Sequence, residues 1–150
     1  MSLQDGYYQI ASVTSLQPII GRNPIEDRSM QPKGVFALPS GTLPLLPWIV
    51  KTPLGGQGLV FEAGGAPTAP ISDKLYAILQ NNIPPMEWVV TPAPAFGPFA
   101  YSVQTSDRER GWIALSDEPL TQVSVKPLTS PNGGALTPNE VFIFEKVPGV

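Results

Sequence analysis

Apolar segments in this chain are short, only about five to seven residues, and proline or glycine stands between almost all of them. Nineteen prolines, each without an N–H and with a fixed φ, and fourteen glycines supply many turns, and a charged fraction of only 14% argues against long charged helices. The segments themselves are rich in Val, Ile, Phe, Tyr and Trp, which suit a pleated, half-buried surface. The pattern predicts an all-β domain with strands over Tyr7–Ala11, Pro18–Arg22, Gly34–Leu38, Trp48–Lys51, Gly58–Glu62, Leu75–Leu79, Trp88–Thr91, Phe99–Gln104, Gly111–Leu115, Thr121–Lys126 and Val141–Lys146. Residues 72–80 also carry an N-cap candidate, Ser72, and apolar positions at helical spacing. Pro70 and Pro84 leave room for little more than two turns there, so the strand reading is preferred.

The segments repeat. Pro47-Trp48-Ile49-Val50-Lys51-Thr52-Pro53 is echoed by Glu87-Trp88-Val89-Val90-Thr91-Pro92 and, less faithfully, by Val141-Phe142-Ile143-Phe144-Glu145-Lys146. Aromatic strands open each third at Tyr7-Tyr8-Gln9-Ile10, Leu59-Val60-Phe61-Glu62 and Phe99-Ala100-Tyr101-Ser102. A length of 150 residues fits one domain. Three units of four strands, at approximately 1–53, 54–95 and 96–150, describe a β-trefoil; a β-sandwich would lack the threefold spacing. The scheme requires a sixth strand near Ala69–Ile71, in a stretch rich in proline.

Histidine and cysteine are both absent, which excludes disulfides, zinc fingers, cysteine nucleophiles and histidine-assisted triads. No enzyme, cofactor or metal site is expected. Gly55-Gly56-Gln57-Gly58 and Gly64-Gly65 read as turns, because no Lys-Ser or Lys-Thr follows as in a phosphate loop. The adjacent pairs Glu26-Asp27 and Asp117-Glu118 offer neither two carboxylates facing across a site nor a calcium loop. Trp48, Trp88 and Trp112 read as core rather than as sugar-stacking platforms, since the first two occupy equivalent places in the repeat. Nine scattered basic residues and a net charge of −3 argue against nucleic acid. The start Met1-Ser2-Leu3-Gln4-Asp5-Gly6 has no secretion signal, and no apolar run is long enough to cross a bilayer. A cytoplasmic protein with no membrane partner is therefore expected.

One connection stands apart. Gly21-Arg22-Asn23-Pro24-Ile25-Glu26-Asp27-Arg28-Ser29-Met30-Gln31-Pro32-Lys33 is too long for a tight hairpin and holds three of the nine basic residues. Pro24 and Pro32 stiffen its shoulders. Such a loop resembles one that offers a P1 residue, the residue before a scissile bond, to a protease in substrate-like form. Lys51, Lys74, Lys126 and Lys146 lie in or beside strands, or next to proline, and are poorly presented. Arg108 and Arg110, in Ser106-Asp107-Arg108-Glu109-Arg110, form a second-loop candidate without a bracing proline. Arg22 abuts a strand and Lys33 follows Pro32, which leaves Arg28, followed by the small Ser29, as the expected P1 for a trypsin-like enzyme. Asp27, Glu26 and Met30 complete the contact segment, with Glu26 and Asp27 expected to brace the loop through backbone amides or Arg22.

The segments Met1-Ser2-Leu3, Gly6-Tyr7-Tyr8-Gln9-Ile10, Gly21-Arg22, Glu26-Asp27-Arg28-Ser29, Pro32-Lys33 and Trp48-Ile49-Val50 resemble the mushroom serine protease inhibitors of the cospin and cnispin type. Only the 21–33 block is distinctive. The resemblance implies a disulfide-free β-trefoil, trypsin inhibition through the loop between the second and third strands at Arg28 and Ser29, a role in fungal defence, and a monomer. Two alternatives stay open: a cysteine protease inhibitor of the mycocypin type, which shares the Met-Ser-Leu and Gly-x-Tyr opening, and a trefoil lectin. The lectin lacks support from the tryptophans, none of which has Gln two residues before it.

Overall fold

The computed structural model describes residues 3–13, 19–22, 26, 28–38, 47–53, 58–80, 86–114, 121–129 and 136–147. The described residues form twelve strands and no α-helix. They are β1 (Gly6–Ser12), β2 (Ile19–Arg22), β3 (Lys33–Ala37), β4 (Trp48–Lys51), β5 (Val60–Ala63), β6 (Ala66–Ile71), β7 (Lys74–Ala77), β8 (Trp88–Pro92), β9 (Ala100–Thr105), β10 (Gly111–Ile113), β11 (Ser124–Lys126) and β12 (Phe142–Lys146). Segment 72–80 contributes β7, a strand as the two prolines dictated. The strand sought near Ala69–Ile71 is β6, despite Pro67 and Pro70 within it. It lies between β5 and β7, and its ladder works around the missing donors. The Pro67 carbonyl accepts from the Ile78 N–H at 2.8 Å, and the Thr68 hydroxyl donates to the Phe61 carbonyl at 2.9 Å.

Six strands close into a ring. β1 pairs with β4 and β12, β4 with β5, and β9 with both β8 and β12. Closure between β5 and β8 is made by Leu59 and Trp88, whose N–H groups donate to each other's carbonyls at 2.9 and 2.7 Å. A closed ring leaves no edge open for pairing with other chains. The other six strands are the hairpins β2–β3, β6–β7 and β10–β11, tied to one another by β3–β7, β7–β11 and the Phe36–Gln122 bridge.

Alternation along the strands sends one large ring inward at the start of β4, β8 and β12: Trp48, Trp88 and Phe142, all at most 2% exposed. Trp112, on β10, lies between them, with ring centroids 5.5, 5.6 and 5.8 Å from those three. All three tryptophans are therefore core; Trp112 meets Trp88 and Phe142 edge-to-face and Trp48 at a tilt of 44°.

A buried carboxylate pins the approach to β12. Glu140, 3% exposed, closes the 3-10 turn Pro138–Glu140 and accepts from the Thr137 N–H and hydroxyl, each at 2.9 Å, and from the Thr129 N–H. Burial opposes its charge, but these donors outweigh burial and hold the carboxyl below the ordinary glutamate value of 4.5. A lowered folded-state value means that the carboxylate stabilises fully above that ordinary value and ceases to do so as pH falls through the folded one. Glu140→Gln should thus lower the thermal midpoint near pH 7, with the gap to the parent closing as pH falls below the ordinary glutamate value and through the lowered one. Thermal scans across that range check it; a gap independent of pH would exclude the charge as the cause.

Candidate functional site

β2 and β3 pair antiparallel, Arg22 facing Val35, and the described residues 26 and 28–32 between them lie outside the ladder. Arg28, Ser29, Met30 and Gln31 are exposed, Met30 to 54%. Pro24 and Asp27 lie outside the described residues; Pro32 is half-buried and leads into Lys33, only 6% exposed at the start of β3.

Contacts fix the chain on both sides of the Arg28–Ser29 bond. On the distal side the Ser29 hydroxyl oxygen accepts from the Gln31 N–H at 3.3 Å and from the Lys33 ammonium at 3.2 Å. Lys33 is thus inside the scaffold, with its head turned to the loop. On the proximal side Glu26 takes a two-pronged pair from Arg22, Nε to Oε2 at 3.1 Å and Nη2 to Oε1 at 2.7 Å. Glu26 therefore sits two residues before Arg28 in the bracing contact with Arg22 that its charge and spacing foreshadowed. Arg22 does more than the sequence shows: Nη1 also reaches the carbonyls of Ala63 and Gly64, at 3.1 and 3.2 Å, in the turn between β5 and β6.

The second candidate loop, between β9 and β10, is built differently. The Asp107 carboxylate accepts from the Thr105 hydroxyl at 2.6 Å and from the Glu109 N–H at 2.9 Å, and these bonds, the hydroxyl first, hold it below the usual aspartate range. Asp107 supplies the brace that a proline does not. Arg108 is exposed, but its φ is +60°, and among the described non-glycine residues only Ser72 shares a positive φ. Arg110 is tethered, Nη1 donating to the Ser72 carbonyl at 3.0 Å with the Asp73 carboxylate 3.9 Å away. Lys51 is paired with Glu62 at 3.1 Å. No group of three or more Asp or Glu among the described residues is gathered to hold a metal.

An all-β scaffold carrying an exposed, internally braced loop is of a class that can offer a segment of chain to a partner. Comparison with known proteins makes the class specific: the chain is a member of the peptidase inhibitor I66 family, which it matches over residues 1–146. It is 34% identical over 113 residues to a serine protease inhibitor of Lentinula edodes, a match covering 75% of each chain. The structure is similar to that of a proteinase inhibitor from Coprinopsis cinerea, with a TM-score of 0.86 and 30% identity over 97% of this chain and 100% of that one. The family is one of serine protease inhibitors, and the chain is an inhibitor rather than an enzyme. A Macrolepiota procera ricin B-like lectin, solved in complex with lactose, shares the fold at a TM-score of 0.71 but only 14% identity, covering 98% of this chain and all of that one.

The sequence puts Arg28, Ser29, Met30 and Glu26 on one loop and offers Arg22 as a partner for Glu26, and the two side chains do pair. Gly64 lies in a turn as read, but its carbonyl also accepts from Arg22, which the sequence did not foreshadow. No local signal relates positions 22 and 64, which lie 42 residues apart.

Proposed function

We propose that the chain inhibits a trypsin-like serine protease as a monomeric β-trefoil, presenting Arg28 as P1 and Ser29 as the residue beyond the scissile bond. The scaffold reading rests on the six-strand ring and three mutually tied hairpins, four strands falling in each of 1–53, 54–95 and 96–150. The single observation that carries the site is the placement of Arg28, an exposed cation between Glu26 and Ser29, each fixed by its own contact to the scaffold.

Trypsin-like enzymes hold a buried carboxylate at the base of the primary pocket, and a guanidinium forms with it a paired, charge-assisted contact shielded from water. Holding the flanking residues in place beforehand spares the ordering cost of docking. Arg108 suits this less well, because a protease cleft takes its peptide extended and a left-handed residue turns the chain away. Arg110 would first have to leave Ser72 and Asp73. Sugar stacking has no support, since all three tryptophans are in the core.

Titrating trypsin with the protein should bring residual activity linearly to zero at about one inhibitor per enzyme. Mass spectrometry after prolonged incubation should find a cut between Arg28 and Ser29. Unchanged trypsin activity, inhibition of papain in its place, or a first cut elsewhere would overturn the proposal.

A further inference from the structure

We infer that Gly64, acting through Arg22, is a positioning residue that keeps the 26–33 segment inhibitory rather than readily cleaved; the inference rests on reading Arg28 as the protease contact. All three nitrogens of the Arg22 guanidinium donate hydrogen bonds. Two nitrogens grip Glu26, and the third bonds to the carbonyls of Ala63 and Gly64 on another hairpin. The pair is largely withdrawn from water, with side chains 18% and 19% exposed, so these are not the loosely held contacts of a surface ion pair. Glu26, two residues before Arg28, is thereby fixed to the β5–β6 turn, while Ser29 is fixed separately to Lys33.

The turn has no slack for this arrangement to shift. Gly64 and Gly65 have φ values of +59° and +81°, both left-handed, as a two-residue hairpin turn of the primed type requires. The two glycines differ in what surrounds them. A Cβ on Gly64 would stand 2.8 Å from Arg22 Nη1 and 3.4 Å from its Cδ and Cζ, whereas a Cβ on Gly65 meets nothing within 4 Å. Alanine at either position carries a similar backbone strain, but only at 64 must the guanidinium also shift to clear the new Cβ. As it shifts, the carbonyl contacts lengthen and the grip on Glu26 loosens.

Bound in the enzyme, a P1 residue held on both sides keeps the ends of a cut peptide together, so cleavage gains little and is readily reversed. With the proximal side released, the chain docks at a greater ordering cost and its ends separate once hydrolysed. Gly64→Ala and Arg22→Gln should therefore each raise the inhibition constant against trypsin about tenfold and speed hydrolysis of the Arg28–Ser29 bond by a similar factor. Gly65→Ala should stay within about twofold of the parent on both measures. Both glycine variants should remain folded at the assay temperature, Gly64→Ala the less stable of the two because it also weakens the Arg22 contacts, and inhibition measured on fully folded protein separates the loss of positioning from a loss of fold. Should Arg22→Gln fail to fold, the Gly64 and Gly65 variants decide the matter alone. Equal inhibition and cleavage by Gly64→Ala and Gly65→Ala would overturn the inference. Arg28→Ala with undiminished inhibition would instead overturn the reading of the site on which it rests.

Discussion

Arg28→Ala is expected to raise the inhibition constant against trypsin at least about thirtyfold, or about 2 kcal/mol, the usual minimum for truncating a central anchor. Arg28 is exposed, and no hydrogen bond or ion pair to the scaffold engages its guanidinium among the described contacts, so its removal should leave the thermal midpoint almost unchanged. The loss then belongs to the complex alone, where the carboxylate in the enzyme's pocket is left buried and unpaired. Arg28→Lys should retain much of the affinity, because an ammonium satisfies the pocket as a point charge but not as a fork. Arg108→Ala and Arg110→Ala should each stay within about twofold of the parent. Arg110→Ala should instead appear as a small drop in stability, from the lost contacts with Ser72 and Asp73. Comparable losses of inhibition at 28 and 110 would place the contact on the β9–β10 turn or on both loops.

The strands were legible because each is a β-branched or aromatic run between turn residues, a local property. Trp48 and Trp88 marked matching places in successive thirds, and the less faithful echo at 141–146 puts Phe142 in the same place at the start of β12. β6 was legible only from the count of the repeat and not from its own residues, because Pro67 and Pro70 remove the ladder donors by which a strand is ordinarily judged. What makes them tolerable, the Thr68 hydroxyl and the Ile78 N–H, lies on other positions. The candidate site divides in the same way. Arg22 and Glu26 are four residues apart with opposite charges, so their pairing can be read from the sequence. The rest of the guanidinium's partners are carbonyls of Ala63 and Gly64, and a backbone carbonyl carries no residue-specific signal. Arginine likewise gives no sign that it will adopt a left-handed φ, so Arg108 and Arg28 look alike until the backbone is seen.

Trp88→Ala should cost about 3–5 kcal/mol, a large share of the roughly 5–15 kcal/mol that holds an ordinary domain together. Trp88 is fully buried, packs edge-to-face on Trp112 with centroids 5.6 Å apart, and carries the two backbone bonds that close the ring between β5 and β8. Its indole N–H donates to the Thr68 hydroxyl at 3.2 Å, which in turn donates to the Phe61 carbonyl. The Trp112 indole N–H has no partner among the described residues. Phenylalanine removes similar ring volume at either position, but at 88 it also breaks a hydrogen-bond chain. Trp88→Phe should therefore be less stable than Trp112→Phe by about 1 kcal/mol in urea unfolding. Equal costs would mean that the Thr68 contact contributes nothing, and a Trp88→Ala cost below about 1 kcal/mol would mean that the ring does not depend on this side chain. Neither Trp88 nor Thr68 touches Glu26 or residues 28–33 through any described hydrogen bond, so folded Trp88→Phe should inhibit trypsin as the parent does. Scaffold stability and loop presentation would then separate: the core decides how much of the chain is folded, and the contacts around Arg22 and Ser29 decide what the folded fraction can do.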